Sequence, residues 1–279
     1  MLCKGMTKKQ TLFFTVANKR YEPFVLPYIF SVIAHNWDAE VEIVLEEPRR
    51  FEIENADALE YLAENYGKRF MLTRGDFTRA SPNALRFMMR PRRLSTGLEQ
   101  LRPDHVYIGD IDILILENVT KPHLEHMKKT GLPFSNIRRK GKDRLSGLHF
   151  TRVNAFYPLP EHFDQLPIHA DEELLFKIVE GHKLGTPHPS ETFRPLHGYH
   201  MSLSRPPVSS THMWGGIQDD QLLKTYMEFR KTRYWRDMYR WFDKRYKMML
   251  SIIDSAIFSY HVLSDEEFKV NSPKDWWDT

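Results

Sequence analysis

The chain has 279 residues, of which 41% are hydrophobic and 13% aromatic, enough to bury a core in one large domain or one domain with an appendage. The net charge of +3 is only mildly basic, so composition alone does not indicate a nucleic-acid partner. One cysteine, Cys3, excludes an intramolecular disulfide and a thiolate metal site. The first residues lack a secretory apolar stretch and no run has membrane-spanning length, so we expect neither feature.

The first hundred residues alternate between strand-like and helix-like patterns. Apolar runs of strand length predict strands at 11–16, 39–45 and 69–73. Helical spacing, caps and glycine stops predict helices at 24–35, 56–66, from Ser81-Pro82 onward, and at 95–101. This alternation is typical of an α/β domain with a mostly parallel sheet.

The stretch Val106–Leu116 is an apolar run interrupted by two carboxylates, Asp110 and Asp112. We predict a buried strand, on which residues two apart point to the same side. Buried carboxylates need a compensating positive charge, and paired oxygen ligands suit Mn²⁺ or Mg²⁺. The alternative is a strand that ends in a polar turn with both carboxylates solvated. Ligands of parallel sheets bind beyond the carboxyl ends of the strands, which favours the metal site.

Three later segments carry further candidate residues. A strand is predicted at 147–156, and a helix begins in 169–175 with acids that could also serve the helix dipole. The stretch Arg194–Pro206 holds two histidines, His197 and His200, beside a glycine. Two histidines so close together favour a ligand more than a lone histidine would.

The last third predicts one long helix over 219–249 with an aromatic stripe that includes Trp235, Tyr239 and Phe242. Lysines and arginines flank this stripe. It either packs on the main domain or lies on a membrane surface, where cations meet anionic headgroups. We expect a mixture, in which part of the stripe packs and the Arg230–Arg240 side faces lipid.

Together these features resemble the GT-A class of nucleotide-sugar-dependent glycosyltransferases, most closely the family-8-like galactosyl- and glucosyltransferases. The matching segments are Thr11–Tyr21, Asn83–Arg86, Asp110–Asp112, Asn154-Ala155, Asp171–Glu173 and His197–His200. The resemblance implies an α/β, GT-A (Rossmann-like) fold with a mixed, mostly parallel sheet flanked by helices. It also implies a catalytic domain over 1–215 and a C-terminal helical extension over 216–279.

The resemblance also implies roles for individual residues. The nucleotide-sugar would contact Thr15, Ala17, Asn18, Asn83, Arg86, Asp110, Asn154 and Arg205. The metal ligands would be Asp110 and Asp112 with His197 or His200, although His212 also fits the His-x-x-Gly part of the family motif. Asp171 or Glu172 would lie near the anomeric carbon and the acceptor hydroxyl, where a carboxylate can act as general base.

We therefore expect a glycosyltransferase, dependent on Mn²⁺ or Mg²⁺, that moves a sugar from a nucleotide-sugar, with UDP-sugar favoured, to a glycan or glycolipid. It would act in surface polysaccharide or lipopolysaccharide synthesis, in the cytoplasm and peripherally on the inner membrane face. One alternative is a sugar nucleotidyltransferase, although Thr15–Arg20 lacks the glycine-rich phosphate loop of that class. The other is a nucleic-acid-binding protein using Lys224–Lys247, whose interleaved acids and aromatics fit less well, so no nucleic-acid partner is expected.

Overall fold

The protein is described by a computed structural model that covers residues 11–78, 80–95, 102–139, 143–161, 170–201, 217 and 219–262, with side chains up to residue 257. The described strands are β1 (Thr11–Ala17), β2 (Ala39–Leu45), β3 (Phe70–Arg74), β4 (His105–Ile108), β5 (Ile113–Ile115), β6 (Phe134–Ser135), β7 (His149–Arg152) and β8 (Gly198–His200).

The described helices surround these strands. They are α1 (Val25–His35), α2 (Pro48–Glu54), α3 (Ala56–Tyr66), α4 (Pro82–Met88), α5 (Thr120–Thr130), α6 (Val153–Phe156), α7 (Asp171–Gly181), α8 (Asp220–Lys231), α9 (Arg233–Tyr239) and α10 (Lys244–Val262). Short 3-10 turns occupy Lys19–Phe24 and Arg92–Leu94. None of the described helices is both long and apolar enough to cross a membrane.

Six strands form the main sheet in the order β3-β2-β1-β4-β7-β6. β1 runs parallel to β2 and β4, β2 runs parallel to β3, and β7 runs antiparallel to β4 and β6. The predicted mixed, mostly parallel sheet with flanking helices is confirmed. β1 and β4 are parallel neighbours, with Phe14 paired to Ile108 near their carboxyl ends. The segments that follow the two strands therefore lie side by side at the same edge of the sheet.

The apolar run Val106–Leu116 is not one strand, and that prediction is wrong. The chain leaves the main sheet after Ile108 and turns through 109–112, so Asp110 and Asp112 lie in a turn and not along a strand. It then enters β5, which pairs antiparallel with β8 in a separate two-stranded sheet. Both pieces are buried on all sides, which explains why the composition of the run does not change where the chain switches sheets.

The other element predictions had mixed outcomes. The strand predicted over 147–156 ends at Arg152, where α6 begins, and α2 was not predicted. The helix predicted over 95–101 falls almost wholly outside the described residues. The single helix predicted over 219–249 is three helices, because Thr232 caps α9 by accepting the Trp235 N–H at 3.1 Å, and 240–243 separate α9 from α10.

The C-terminal aromatic stripe is part of the hydrophobic core. Phe30 of α1 stacks on Phe229 at 5.1 Å between ring centroids and also meets Trp235 and Phe242. Trp235 and Phe242 are each only 3% exposed, so the stripe packs on the main domain. The alternative in which these rings face lipid is therefore wrong for both of them.

The pairing of β5 with β8 in the small sheet requires a close approach of their backbones. A Cβ atom on Gly198 would lie 1.8 Å from the Leu114 carbonyl oxygen, so only glycine allows β8 to lie against β5 as it does. The resulting register pairs Ile113 with His200. The position of His200 therefore depends on a residue without a side chain.

We predict that Gly198→Ala lowers the free energy of unfolding by at least about 2 kcal/mol, because the added methyl group overlaps a backbone atom that cannot rotate away. Urea unfolding measures the change. Gly181→Ala is the control, since its Cβ would come no closer than 3.2 Å to the Pro160 ring. Equal stability of the Gly198 variant and the wild type would contradict the prediction.

Candidate functional site

Three side chains that could bind a metal meet at the carboxyl edge of the main sheet. The His200 Nε2 atom lies 3.2 Å from Asp112 Oδ1 and 3.9 Å from Asp110 Oδ2. One potential ligand atom from each residue lies within 4.8 Å of the other two. Two carboxylates and one imidazole are donors that suit Mn²⁺ and similar divalent ions, so these residues fit the metal that the sequence predicts.

The backbone explains how residues ninety positions apart in sequence come together. The turn after β4 carries both aspartates, and the pairing of β5 with β8 brings His200 beside Ile113. The Met201 N–H then donates to the Asp112 carbonyl at 2.6 Å. This main-chain hydrogen bond ties the residue after His200 to Asp112.

A buried arginine joins one of these carboxylates to a second acidic residue. Arg86 of α4, 3% exposed, donates from Nη1 to Asp110 and from Nη2 to Asp171 Oδ2, the latter at 3.0 Å. Burial opposes the charged form of Asp110, but Arg86 and His200 outweigh it and hold the pKa of Asp110 below its ordinary value. The guanidinium thereby keeps a buried carboxylate ionised.

A glycine that the sequence analysis did not single out makes room for this arrangement. A Cβ on Gly147 would lie 2.8 Å from Arg86 Nη2 and 3.5 Å from Asp171 Oδ2. Any larger residue would press on the ion pair. The only sequence signal was a glycine at the start of a predicted strand, which is more often read as a loop residue.

The end of β1 lies beside the same turn. The Thr15 hydroxyl donates to the Gly109 carbonyl at 2.9 Å, and the side chains of Thr15 and Ala17 are fully buried. Asn18 is half-buried and caps the following 3-10 turn by accepting the Tyr21 N–H at 3.3 Å. Of these three predicted donor-binding residues, Asn18 is the one whose side chain reaches the surface.

The two candidate bases have different surroundings. Asp171, at the start of α7, contacts Arg86, whereas Glu172 pairs with Arg139 at 2.6 Å. Asn83 is exposed one turn before Arg86 on α4. The structure therefore brings Arg86, Asp110 and Asp171 together and directs Glu172 toward a separate loop.

Two predicted residues do not reach the site. His197 uses its ring nitrogens on Glu117 at 2.7 Å and on His123 at 3.0 Å, and is not among the three clustered ligands. Asn154 follows β7, which runs antiparallel to β4, so it lies at the opposite edge of the sheet, lining an open pocket of about 730 Å³. The prediction that Asn154 contacts the nucleotide-sugar is not supported by this placement. Arg205 and His212 lie outside the described residues.

No protein-family model and no curated protein matches this chain, but several solved structures are similar to it. Apo GlyE, a glycosyltransferase of Streptococcus pneumoniae TIGR4, is 15% identical over 53% of this chain and 34% of its own, with a TM-score of 0.35. Galactosyltransferase LgtC, in complex with donor and acceptor sugar analogs, is 13% identical over 64% and 68%, with a TM-score of 0.36. The apo bifunctional glycosyltransferase WbbM is 13% identical over 66% and 39%, with a TM-score of 0.38. The chain thus spans about a third of GlyE, and similarity at this level leaves the activity to be inferred from the site.

We predict that Arg86→Gln costs about 3 kcal/mol of unfolding free energy, because two carboxylates that are only 22% exposed lose their cation. Because the pKa of Asp110 is lower in the folded than in the unfolded protein, its ionisation stabilises the fold at pH values above the unfolded-state pKa. This stabilisation is lost as the pH falls through the folded-state pKa. In the metal-free variant that pKa rises, so acid unfolding should begin at higher pH. Urea unfolding across pH measures both effects.

The control is Arg50→Gln. Arg50 contacts Glu22, Glu47 and Glu54, yet its side chain is 31% exposed, so its loss should cost less than about 1 kcal/mol. If both variants lose the same free energy of unfolding, the burial of Arg86 adds nothing to the stability that its ion pairs provide.

Proposed function

We propose that this chain is a metal-dependent glycosyltransferase that moves a sugar from a nucleotide-sugar to a glycan or glycolipid acceptor. The observation that carries the proposal is the group Asp110, Asp112 and His200 at the carboxyl edge of the parallel strands, where α/β sheets bind their ligands. Arg86 and Asp171 lie next to this group and add the charges that such a transfer needs.

The proposed metal would be held by Asp110, Asp112 and His200. When bound, a divalent ion supplies neutralisation of the charge that grows on the departing nucleoside diphosphate. Arg86 is occupied by Asp110 and Asp171 on both Nη atoms, so we assign it to holding these carboxylates in place. Its part in the reaction would be to orient a metal ligand and a base at once.

Asp171 is the better candidate for the residue near the acceptor. One of its oxygens, Oδ2, accepts from Arg86, which leaves Oδ1 to accept a proton from an acceptor hydroxyl or to position a sugar hydroxyl. Glu172 is bound by Arg139 through both carboxylate oxygens. We therefore keep Asp171 as the proposed catalytic carboxylate and give Glu172 a structural role.

The donor side of the proposal rests on the end of β1. The Thr15 hydroxyl at the end of β1 bonds to Gly109 in the aspartate turn, so we propose that the base and ribose sit near Asn18 and the 3-10 turn that follows β1. We favour a UDP-sugar as donor, and surface polysaccharide or lipopolysaccharide synthesis as the setting, on the family resemblance.

The two alternatives have less support. A sugar nucleotidyltransferase would need a glycine-rich phosphate loop after β1, and 18–24 contain no glycine. A nucleic-acid-binding role for α8–α10 would need a continuous cationic surface, yet acids interrupt it: Arg230 pairs with Asp254 at 2.6 Å and Lys231 with Glu228 at 2.8 Å.

We predict that Mn²⁺ together with one nucleotide-sugar of a UDP-, GDP- and CMP-sugar panel raises the melting temperature, since ligands that bind the native state stabilise it. Asp112→Asn should abolish the Mn²⁺-dependent part of this shift and the transfer activity. Asp57→Asn, an exposed change on α3, is the control and should behave like wild type.

The outcomes separate the proposal from its rivals. Activity that persists in EDTA, or in Asp112→Asn at the wild-type rate, would exclude the metal role. Stabilisation by nucleoside triphosphate and sugar phosphate, but by no nucleotide-sugar, would favour the nucleotidyltransferase.

We also propose that the outer face of α8 and α9 contacts an anionic membrane on its cytoplasmic side. Met227 and Tyr234 are about half exposed there, and the Arg233 side chain is 85% exposed although its Nε atom lies 3.5 Å from Asp237. Such a mixture of apolar and cationic side chains suits an interface with acidic headgroups.

Vesicle co-sedimentation tests this surface. We expect binding to phosphatidylglycerol vesicles but not to phosphatidylcholine vesicles, and loss of binding at high salt. Arg233→Glu should weaken it, whereas Lys121→Glu on α5, with the same change of charge, should not. Failure to bind either vesicle at any salt concentration would refute the membrane contact.

A further inference from the structure

A buried series of hydrogen-bonding side chains lies behind the small sheet and has no part in the site described so far. We call it the histidine chain, and its members are Glu117, His197, His123, Ser135 and His126. They come from the segment before α5, from α5, from β6 and from the residue that precedes β8. All except Glu117 are less than 5% exposed.

The contacts are short and continuous. Glu117 Oε1 lies 2.7 Å from His197 Nδ1, and His197 Nε2 lies 3.0 Å from His123 Nε2. The Ser135 hydroxyl lies 2.7 Å from His123 Nδ1 and 2.8 Å from His126 Nδ1. Each group can donate to the next in one direction, from His126 toward the Glu117 carboxylate, so these four hydrogen bonds can all form with neutral rings. At the far end of the series, His126 Nε2 lies 3.4 Å from Glu191 Oε2.

The pair formed by His123 and His197 requires one ring nitrogen to carry a proton and the other to accept it. Two doubly protonated rings would place N–H groups face to face. Burial, followed by the neighbouring histidines, holds the pKa of His123 well below its ordinary value. This environment favours a neutral His123 ring, which can donate one proton to its partner.

The same chain fastens the segment that leads into β8. Phe193 stacks on His126 at 4.3 Å and meets the edge of His123 at 5.5 Å, while His123 stacks on Phe150 of β7 at 4.9 Å. Residues 193–197 are thus held on α5 by aromatic contacts at one end and by the His123–His197 hydrogen bond at the other.

The backbone of His197 is constrained at the point where the chain enters β8. His197 has a φ of +60°, a left-handed conformation that is uncommon outside glycine and is kept only where its surroundings enforce it. Its carbonyl accepts the Leu116 N–H at 2.8 Å, and Gly198 follows directly in β8. His200 lies three residues beyond this fixed point.

We infer that His123 and His197 are positioning residues for the metal ligand His200. By fixing where β8 begins, they set the distance at which the His200 ring meets Asp112. The inference rests on the proposed metal site for its purpose, but the fastening of β8 can be measured without metal. Groups that orient a ligand from behind commonly change metal affinity by about 10- to 100-fold when they are lost.

The decisive variant is His123→Phe, which keeps a ring on Phe150 and removes both nitrogens. Its matched control is His149→Phe, because His149 is also fully buried, packs its ring at a tilt against Phe134 and Phe156, and lies outside the histidine chain. Isothermal titration with Mn²⁺ should show about tenfold weaker binding for His123→Phe and an unchanged constant for His149→Phe.

Hydrogen exchange of the metal-free proteins provides the second readout. The Met201 amide, which donates to Asp112, should exchange faster in His123→Phe, while the amides of β1 stay as protected as in wild type. Glu117→Ala, a change at a partly exposed carboxylate, is the milder variant should His123→Phe fail to fold, and should shift both readouts in the same direction.

Each outcome decides one point. The inference would be overturned if a folded His123→Phe or Glu117→Ala variant kept both the Mn²⁺ affinity and the Met201 amide exchange of the wild type. It would also be overturned if His149→Phe weakened Mn²⁺ binding as much as His123→Phe does. If the wild type binds no Mn²⁺, the proposed metal site fails, and exchange at Met201 alone then decides whether the histidine chain holds β8.

Discussion

One buried guanidinium holds the candidate site together. Arg86 brings its charge to two carboxylates that come from different parts of the chain, the turn after β4 and the start of α7. Without that cation, Asp110 and Asp171 would be two partly desolvated negative charges facing each other. The space left by Gly147 and the cap that starts α4 both serve to place this one group.

The site combines a rigid sheet edge with a separately anchored strand. The main sheet supplies the aspartate turn, and β8 supplies His200 only because Gly198 lets two backbones touch. Thr15 secures the aspartate turn through the Gly109 carbonyl, and the histidine chain secures β8.

Local patterns predicted the elements whose limits are set locally. The predicted limits of β2 and α3 match the structure, because alternating and helical periodicities end there at turn residues. The break inside Val106–Leu116 could not be read, since both pieces are equally apolar and only pairing with β8 separates them. Residue type and motif singled out the two aspartates and His200, whose side chains the structure brings together. The position of Asn154 at the opposite edge could not be predicted because sequence does not show that β7 runs antiparallel, and Gly147 was missed because its role depends on a distant ion pair.

The shared core of α1 and the C-terminal helices has a consequence for the order in which the protein can fold. Phe30 of α1 and Phe24, which directly precedes that helix, are covered by Tyr246, Phe229 and Phe242, side chains made some two hundred residues later. During synthesis the parallel strands leave the ribosome long before those aromatic partners exist. The apolar face of α1 therefore stays exposed to water, or bound to a chaperone, until α10 has emerged. A nascent chain stopped before α8 would leave that face exposed to other proteins.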